Sequence, residues 1–454
     1  MKFGSSSFYK RALSIALPVM AQMFIQNFVS LIDNFMVAGL GDIKMSGVNI
    51  AGQINFIFLV FINNAMCASG GIFMSQYYGA QDKKGMEQVF RYKIIVCVLS
   101  GVLYTVFCLV NPGPVLALMV HGNSSAAAIV YEAVQYERII AWTWIPITIS
   151  IVIASSLREI GQVNIPLIIS VIATCINTAG NYILIYGNFG APRLEVRGAA
   201  IATVIARAVE MAIFIFYIRI KKPAFYSRIR DMFKVKLQLF GTILSNSGLI
   251  LCSEMAWIIS ETITTALYNS RGGAEIVSGM SAGFAIANLF FISFGGIFTS
   301  TGVIMGSTLG AGKLSEAREQ KEWILSGTFI YGILFALLGY ASTLLIPVVY
   351  ANLSETARNV SRGLVFIAAT YMPLWCYMNG QFAISRTGGD TMLGAVVDLV
   401  TNSLIVIPGM FVLTYYTPLG PVALYSVIKL SDFVKLTIAT VWLKKEKWLR
   451  NLTV

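Results

Sequence analysis

The chain has 454 residues, of which 57% are hydrophobic and only 12% charged, with a formal net charge of +12. Soluble domains carry about a quarter charged residues, and a folded soluble chain needs a polar exterior. This composition therefore excludes a soluble globular domain and points to a chain whose solvent is lipid.

Apolar runs of about 20 residues cross the hydrocarbon core as helices. Ile94–Val110 and Trp323–Pro347 lack the apolar–polar alternation of a membrane barrel, so helices are expected. In chain order the spans fall at 12–40, 45–78, 94–112, 137–156, 164–187, 198–218, 237–268, 276–309, 324–347, 363–384, 391–414 and 420–443. The first run is too long for a signal-peptide core and leads directly into a second span, so no cleavable signal is expected. The expected fold class is an all-α polytopic membrane protein of twelve transmembrane helices in two pseudo-symmetric six-helix lobes. The lobes would be residues 1–218 and 237–454, joined by a basic cytoplasmic linker at 219–236.

Charge orients the spans. Of the 33 Lys and Arg, 23 lie at the termini and in the loops near 81–93, 158, 219–236, 313–321 and 386. Seven lie on the opposite side: Lys44, Arg138, Arg193, Arg197, Arg271, Arg358 and Arg362. The positive-inside rule then puts both termini in the cytoplasm of a multi-pass cell-membrane protein, with loops 113–136 and 188–197 outside. This asymmetry accounts for the basic balance without a nucleic-acid partner.

The two halves repeat. Gly79-Ala80 after the second span matches Gly310-Ala311 after the eighth, and Arg158–Gly161 after the fourth matches Arg386–Gly389 after the tenth. Gly198, Arg207 and Glu210 match Gly420, Lys429 and Asp432, all 222 residues apart. Both halves begin on the cytoplasmic side, so the repeat is parallel, and such lobes enclose a cleft at their interface.

Cys67, Cys97, Cys108, Cys175, Cys252 and Cys376 lie in or beside apolar runs with no Cys-x-x-Cys pair, and read as packing residues. The single histidine, His121, has no neighbouring metal ligands, so neither a metal site nor a cofactor is expected. Membrane-embedded hydrolases and transferases need a nucleophile–base pair, a metal cluster or a His-rich motif. None is evident, which makes an enzyme the weakest reading. No phosphate-binding Gly-x-x-x-x-Gly-Lys loop is present to use ATP.

The polar residues inside the spans carry the chemistry. Gln26, Ser30 and Asp33 share one face of the first span. A carboxylate at that depth costs about 2.5–3.5 kcal/mol on insertion scales, so it usually faces a cavity. Thr174, Asn177 and Asn181 share a face of the fifth span. Their neutral oxygens suit a hard monovalent cation, and suit interhelical hydrogen bonding equally. In the seventh span Glu254 and Glu261, with Trp257 and Tyr268 nearby, offer an organic cation both charge and aromatic faces. Arg207 with Glu210, and Lys429 with Asp432, are spaced to neutralise each other along one helix. Asp398, one turn before Asn402, is a further intramembrane acid with no assigned role.

Several of these residues form a familiar pattern. They are Pro18, Gln26, Asp33 and Gly39 of the first span and Ser75-Gln76-Tyr77-Tyr78-Gly79-Ala80 closing the second. Asn177-x-x-x-Asn181, Gly198-Ala-Ala-Ile-Ala-Thr203 and Arg386-Thr-Gly-Gly-Asp390 complete it. In order and spacing, over essentially the whole chain, this resembles the multidrug and toxic compound extrusion (MATE) family. The resemblance implies two six-helix lobes and a secondary antiporter that exports organic, cationic compounds or drugs in exchange for inward Na⁺ or H⁺. It implies a coupling site for Na⁺ or H⁺ at Asp33, Asn177, Asn181 and Thr203. Asn181 stands where the pattern often has a carboxylate. The resemblance also places Glu254 at a functional position of the seventh span. From their helix faces and chemistry, Gln26, Ser30, Glu254, Trp257 and Glu261 are expected to line the substrate cavity. The expected partners are small organic substrates and membrane lipid, with no obligatory protein partner. A lipid-linked oligosaccharide flippase of the same superfamily is the alternative, but it favours a cationic cavity, whereas the central candidates here are acidic.

Overall fold

A computed structural model of the chain describes residues 2–120 and 125–453; His121 lies outside them. Twelve helical segments follow the expected order. They are α1 (Ser6–Ala38), α2 (Asp42–Gly79), α3 (Lys83–Val110), α4 (Ala126–Glu159), α5 (Asn164–Tyr186) and α6 (Glu195–Lys221). After them come α7 (Leu237–Asn269), α8 (Ala274–Gly310), α9 (Leu314–Thr343), α10 (Glu355–Thr387) and α11 (Met392–Tyr416). The twelfth, α12, is a pair of helices, Pro421–Lys429 and Ser431–Leu443, that meet at Leu430. Ten of these, all but α10 and α12, are long and apolar enough to cross a membrane by length and composition alone. Two short helices, Gly113–Met119 and Ile346–Val349, lie between segments.

Several helices outrun their apolar runs. α3 begins at Lys83, α4 at Ala126 and α10 at Glu355, each eight or more residues before the expected span. Hydropathy marks the hydrocarbon-crossing part only, whereas backbone hydrogen bonding carries the helix on through charged turns. Asp82 starts α3 by accepting from the Gly85 amide at 3.1 Å, and Ser354 starts α10 by accepting from Ala357 at 3.2 Å.

The burial pattern is that of a protein in lipid. On α3, Cys97, Gly101, Thr105 and Cys108 are buried at helical spacing, while Leu99, Leu103, Val106 and Val110 are exposed. Small and polar residues face protein and large apolar ones face outward, as helix packing without a hydrophobic driving force requires.

The chain divides into two compact units, one of residues 21–244 and one of residues 1–20 with 245–454. In the first, Trp144 of α4 packs edge-on against Phe58 of α2 and Tyr104 of α3. In the second, Met280, Leu364, Met372, Trp375, Met410 and Tyr425 form one buried core.

The connection after α6 belongs to the first unit and is fastened to it. Arg91 Nε donates to Ser227 Oγ at 2.9 Å and Arg91 Nη1 to the Lys234 carbonyl at 2.8 Å, while Phe225 is fully buried against Phe90. Outside the spans, a hydrogen bond from Lys234 holds the Asp231 carboxyl below its usual range, and one from Arg318 does the same for Glu446. The proposed orientation is tested on residues that face solvent: Ser227 is buried, but Phe233 is 84% and Phe189 88% exposed. With Cys175 and Cys252 replaced by serine, Phe189→Cys should react with an impermeant maleimide added outside cells. Phe233→Cys should react only after permeabilisation. The opposite pattern overturns the orientation.

Candidate functional site

In the first unit, α1, α5 and α6 meet at a polar cluster. Two glycines allow the approach. A Cβ on Gly198 would come within 2.4 Å of the Leu184 carbonyl, and one on Gly180 within 2.9 Å of Ala202. Close backbone contact sets Thr203 of α6 beside Asn177 of α5. Asn181 Nδ2 donates to Asp33 Oδ1 at 2.8 Å. With its amide turned to satisfy both ends, Asn177 donates to Asp33 Oδ2 at 3.0 Å and accepts from Thr203 Oγ1 at 3.1 Å. All four residues expected here are brought together. The carboxylate thus has an amide on each oxygen and, among the described residues, no directly bonded base. Asn181 Oδ1 is buried with no hydrogen-bond partner among the described residues.

Of their companions on α1, Gln26 is half-buried and Ser30 is exposed. The buried polar residue of this helix is Gln22, which sequence reasoning passed over. It donates to Ser170 Oγ at 2.7 Å and accepts from Arg158 at 3.4 Å. Ser170 continues to Glu210, 3.4 Å away, and Glu210 is salt-bridged to Arg207 at 2.7 Å. The expected Arg207–Glu210 pair is therefore present, as one end of a longer polar chain.

Its repeat partner is different. Lys429 does not pair with Asp432; it donates to Glu261 of α7 at 2.9 Å. Lys429 and Asp432 fall in the two helices of α12 that meet at Leu430, and each is taken by a partner on another helix. Lys429 Nζ also lies over the rings of Tyr425 and Trp375, at 5.4 and 5.9 Å. Asp432 accepts instead from Trp375 Nε1 at 2.8 Å.

The remaining candidates of α7 carry counter-charges as well. Glu254 Oε1 lies 3.6 Å from Arg386 Nη2, and Arg386 also sits over the Phe298 ring at 5.1 Å. Trp257 is 46% exposed and stands apart from these pairs in burial. Each acid expected to attract a cation is thus already partnered with a base, which sequence spacing did not reveal because the bases come from distant helices.

Two further carboxylates, one buried and one half-buried, escaped the sequence reading. Glu137 of α4, 2% exposed, accepts from Asn55 at 3.1 Å, and Tyr104 donates to the same asparagine at 2.9 Å. Glu159 pairs with Lys93, whose side chain is fully buried. Glu137 fell at the edge of its apolar run, and Lys93 was counted with loop charges. Only their burial marks them.

An all-helical, multi-pass membrane protein with polar and ion-paired residues buried inside its helix bundle is the class this architecture defines. The MatE family profile matches residues 18–183 and 250–412. Among curated proteins, the chain is 21% identical over 446 residues to the "Probable multidrug resistance protein NorM" of Halalkalibacterium halodurans, covering 96% of this chain and 94% of that one. It is 24% identical over 336 residues to the protein of the same description in Thermotoga maritima, covering 70% and 68%. Among solved structures, MATE in the straight conformation superposes with a TM-score of 0.85 at 18% identity, covering 96% of each chain. The outward-facing conformation of a multidrug resistance MATE family transporter of the MOP superfamily gives 0.82 at 18% identity, covering 96% and 95%. The chain belongs to the MatE family. It is a transporter and not an enzyme.

Proposed function

We propose that this protein is a secondary antiporter of the cell membrane that exports organic, cationic compounds or drugs in exchange for inward H⁺ or Na⁺. Both termini lie in the cytoplasm, and the site at Asp33 is the coupling site. The observation that carries the reading is the Asp33 carboxylate held between Asn177 and Asn181 with no base among the described residues bonded to it. An intramembrane acid without a salt-bridge partner is a costly arrangement that marks ion pathways and proton relays. Neutral amide oxygens and one carboxylate are a donor set for a hard monovalent cation. The multidrug resistance descriptions of the relatives agree with an organic substrate.

The salt bridges of α7 supply a way to recognise cations. A cationic substrate competes with Arg386 for Glu254, or with Lys429 for Glu261, so binding exchanges one partner for another instead of stranding a charge. The exposed Trp257 offers an aromatic face to such a substrate.

Reconstitution into liposomes with imposed Na⁺ or pH gradients, and a panel of organic cations, tests the proposal. Efflux should collapse when the gradient is dissipated and should identify the ion. Glu254→Gln should raise the KM for cationic substrates by about tenfold, the effect of losing roughly 1.4 kcal/mol of binding, while the protein stays folded. Gradient-independent transport sinks the antiport reading, and unchanged kinetics in Glu254→Gln remove that residue from the substrate site.

A further inference from the structure

The polar site of the first unit is built on α5, where Asn177 and Asn181 lie one turn apart and meet residues of α1 and α6. Moving 221 positions along the chain carries these two asparagines onto Asp398 and Asn402 of α11, again one turn apart. The helices that surround them are the repeat partners of α1 and α6, namely α7 and α12. Ser253 Oγ of α7 donates to Asp398 Oδ2 at 2.6 Å. Lys435 Nζ of α12 donates to Asn402 Oδ1 at 2.9 Å and lies 3.4 Å from Asp398 Oδ1. Ser253, Asn402 and Lys435 are 5%, 3% and 7% exposed.

This cluster is more than a closed salt bridge. Asn402 Nδ2 and the hydroxyl of the adjacent Thr401 are buried with no hydrogen-bond partner among the described residues. Asn402 also opens a π-helical turn, Asn402–Val406, in the middle of a membrane helix. Such turns widen the helix locally and occur frequently at functional sites. Asp398, Asn402 and Ser253 supply a carboxylate, an amide oxygen and a hydroxyl, a donor set for a hard monovalent cation, and the Thr401 hydroxyl sits on the residue before Asn402. The Lys435 ammonium already contacts the carboxylate and the amide oxygen.

We propose that the second unit holds a monovalent-cation site, formed by Asp398, Asn402, Ser253 and Thr401, whose occupant is the chain's own Lys435 ammonium. The inference extends the coupling role proposed for the Asp33 site to its repeat partner. One unit then exchanges a free ion, while the other carries a tethered one and stays neutral through the cycle. Removal of the tether leaves a site for Na⁺ or for a small alkylammonium such as methylammonium.

The test is equilibrium binding on purified full-length protein, so it is independent of whether the protein transports anything. Lys435→Ala, in an Asp33→Asn background, should bind one additional Na⁺ or methylammonium per chain in direct binding with labelled cation. Its thermal unfolding midpoint should rise with the logarithm of cation concentration above saturation. Lys435→Arg should behave as the parent does and bind no additional cation. Adding Asp398→Asn to Lys435→Ala should abolish the gain. If Lys435→Ala folds only when purified in one of these cations, that is the same result by another route. If it gains no cation binding and neither cation stabilises it, or if the gain survives Asp398→Asn, the proposal is overturned.

Discussion

Asp33→Asn should abolish gradient-driven efflux while expression and thermal stability stay near those of the parent chain. The substitution keeps the shape of the side chain and an oxygen for the Asn181 amide, so the hydrogen bond from Asn181 at 2.8 Å survives in kind. What it removes is the one group at this site that can alternate between a charged state and a neutralised one, by proton or by Na⁺. Each unit charge carried inward gains about 2.3 kcal/mol per 100 mV of membrane potential, and a site that cannot change charge cannot draw on it. Proteoliposome efflux against a substrate gradient should therefore fall to the level of empty vesicles, whereas downhill exchange of substrate continues. Pumping at the parent rate in Asp33→Asn would make Asp33 structural and remove the proposed coupling site. The same experiment on Asn181→Asp is informative about the ion. A second carboxylate at that position strengthens the site for Na⁺, and Na⁺-driven efflux should rise relative to H⁺-driven efflux.

Glu159→Gln should be among the most destabilising single substitutions in the chain. Lys93 Nζ lies 2.9 and 3.1 Å from the two Glu159 oxygens, and the lysine side chain is entirely buried between helices. Two glycines of α2 make the space. A Cβ on Gly70 would stand 2.7 Å from Lys93 Cγ, and one on Gly71 would clash with the Glu159 carboxylate. Neutralising the acid alone strands a buried ammonium, at a cost of about 3–5 kcal/mol. A typical domain's whole margin is about 5–15 kcal/mol. Replacing both members, as Lys93→Met with Glu159→Leu, leaves no unpaired charge and should recover most of the loss. Thermal unfolding and monodispersity of the detergent-purified variants measure this directly. A Glu159→Gln protein as stable as the parent, or a double variant less stable than the single, would show that the pair does not hold α3 and α4 together.

The solvent, the helical class, the order of the segments and the family are all legible along the chain. These follow from properties that accumulate along the chain: uninterrupted apolar runs, the bias of Lys and Arg to one set of loops, and short motifs recurring at offsets of 222 to 231 residues. The family pattern also grouped Asp33, Asn177, Asn181 and Thr203, which spacing alone put only on the faces of separate helices. The partners of the other buried charges were decided only by the tertiary structure. Spacing within α12 pairs Lys429 with Asp432, but the lysine is bonded to Glu261, 168 residues away in the chain. Asp398, which had no account in sequence, takes its meaning from Ser253 and Lys435 on two other helices. Lys93 ends the basic loop 81–93 in sequence, yet α2 packs over it at Gly70 and over its partner Glu159 at Gly71. A local pattern can say which residues share a helix face, but in lipid the cost of a charge depends on what lies across that face. That is set by the packing of distant segments.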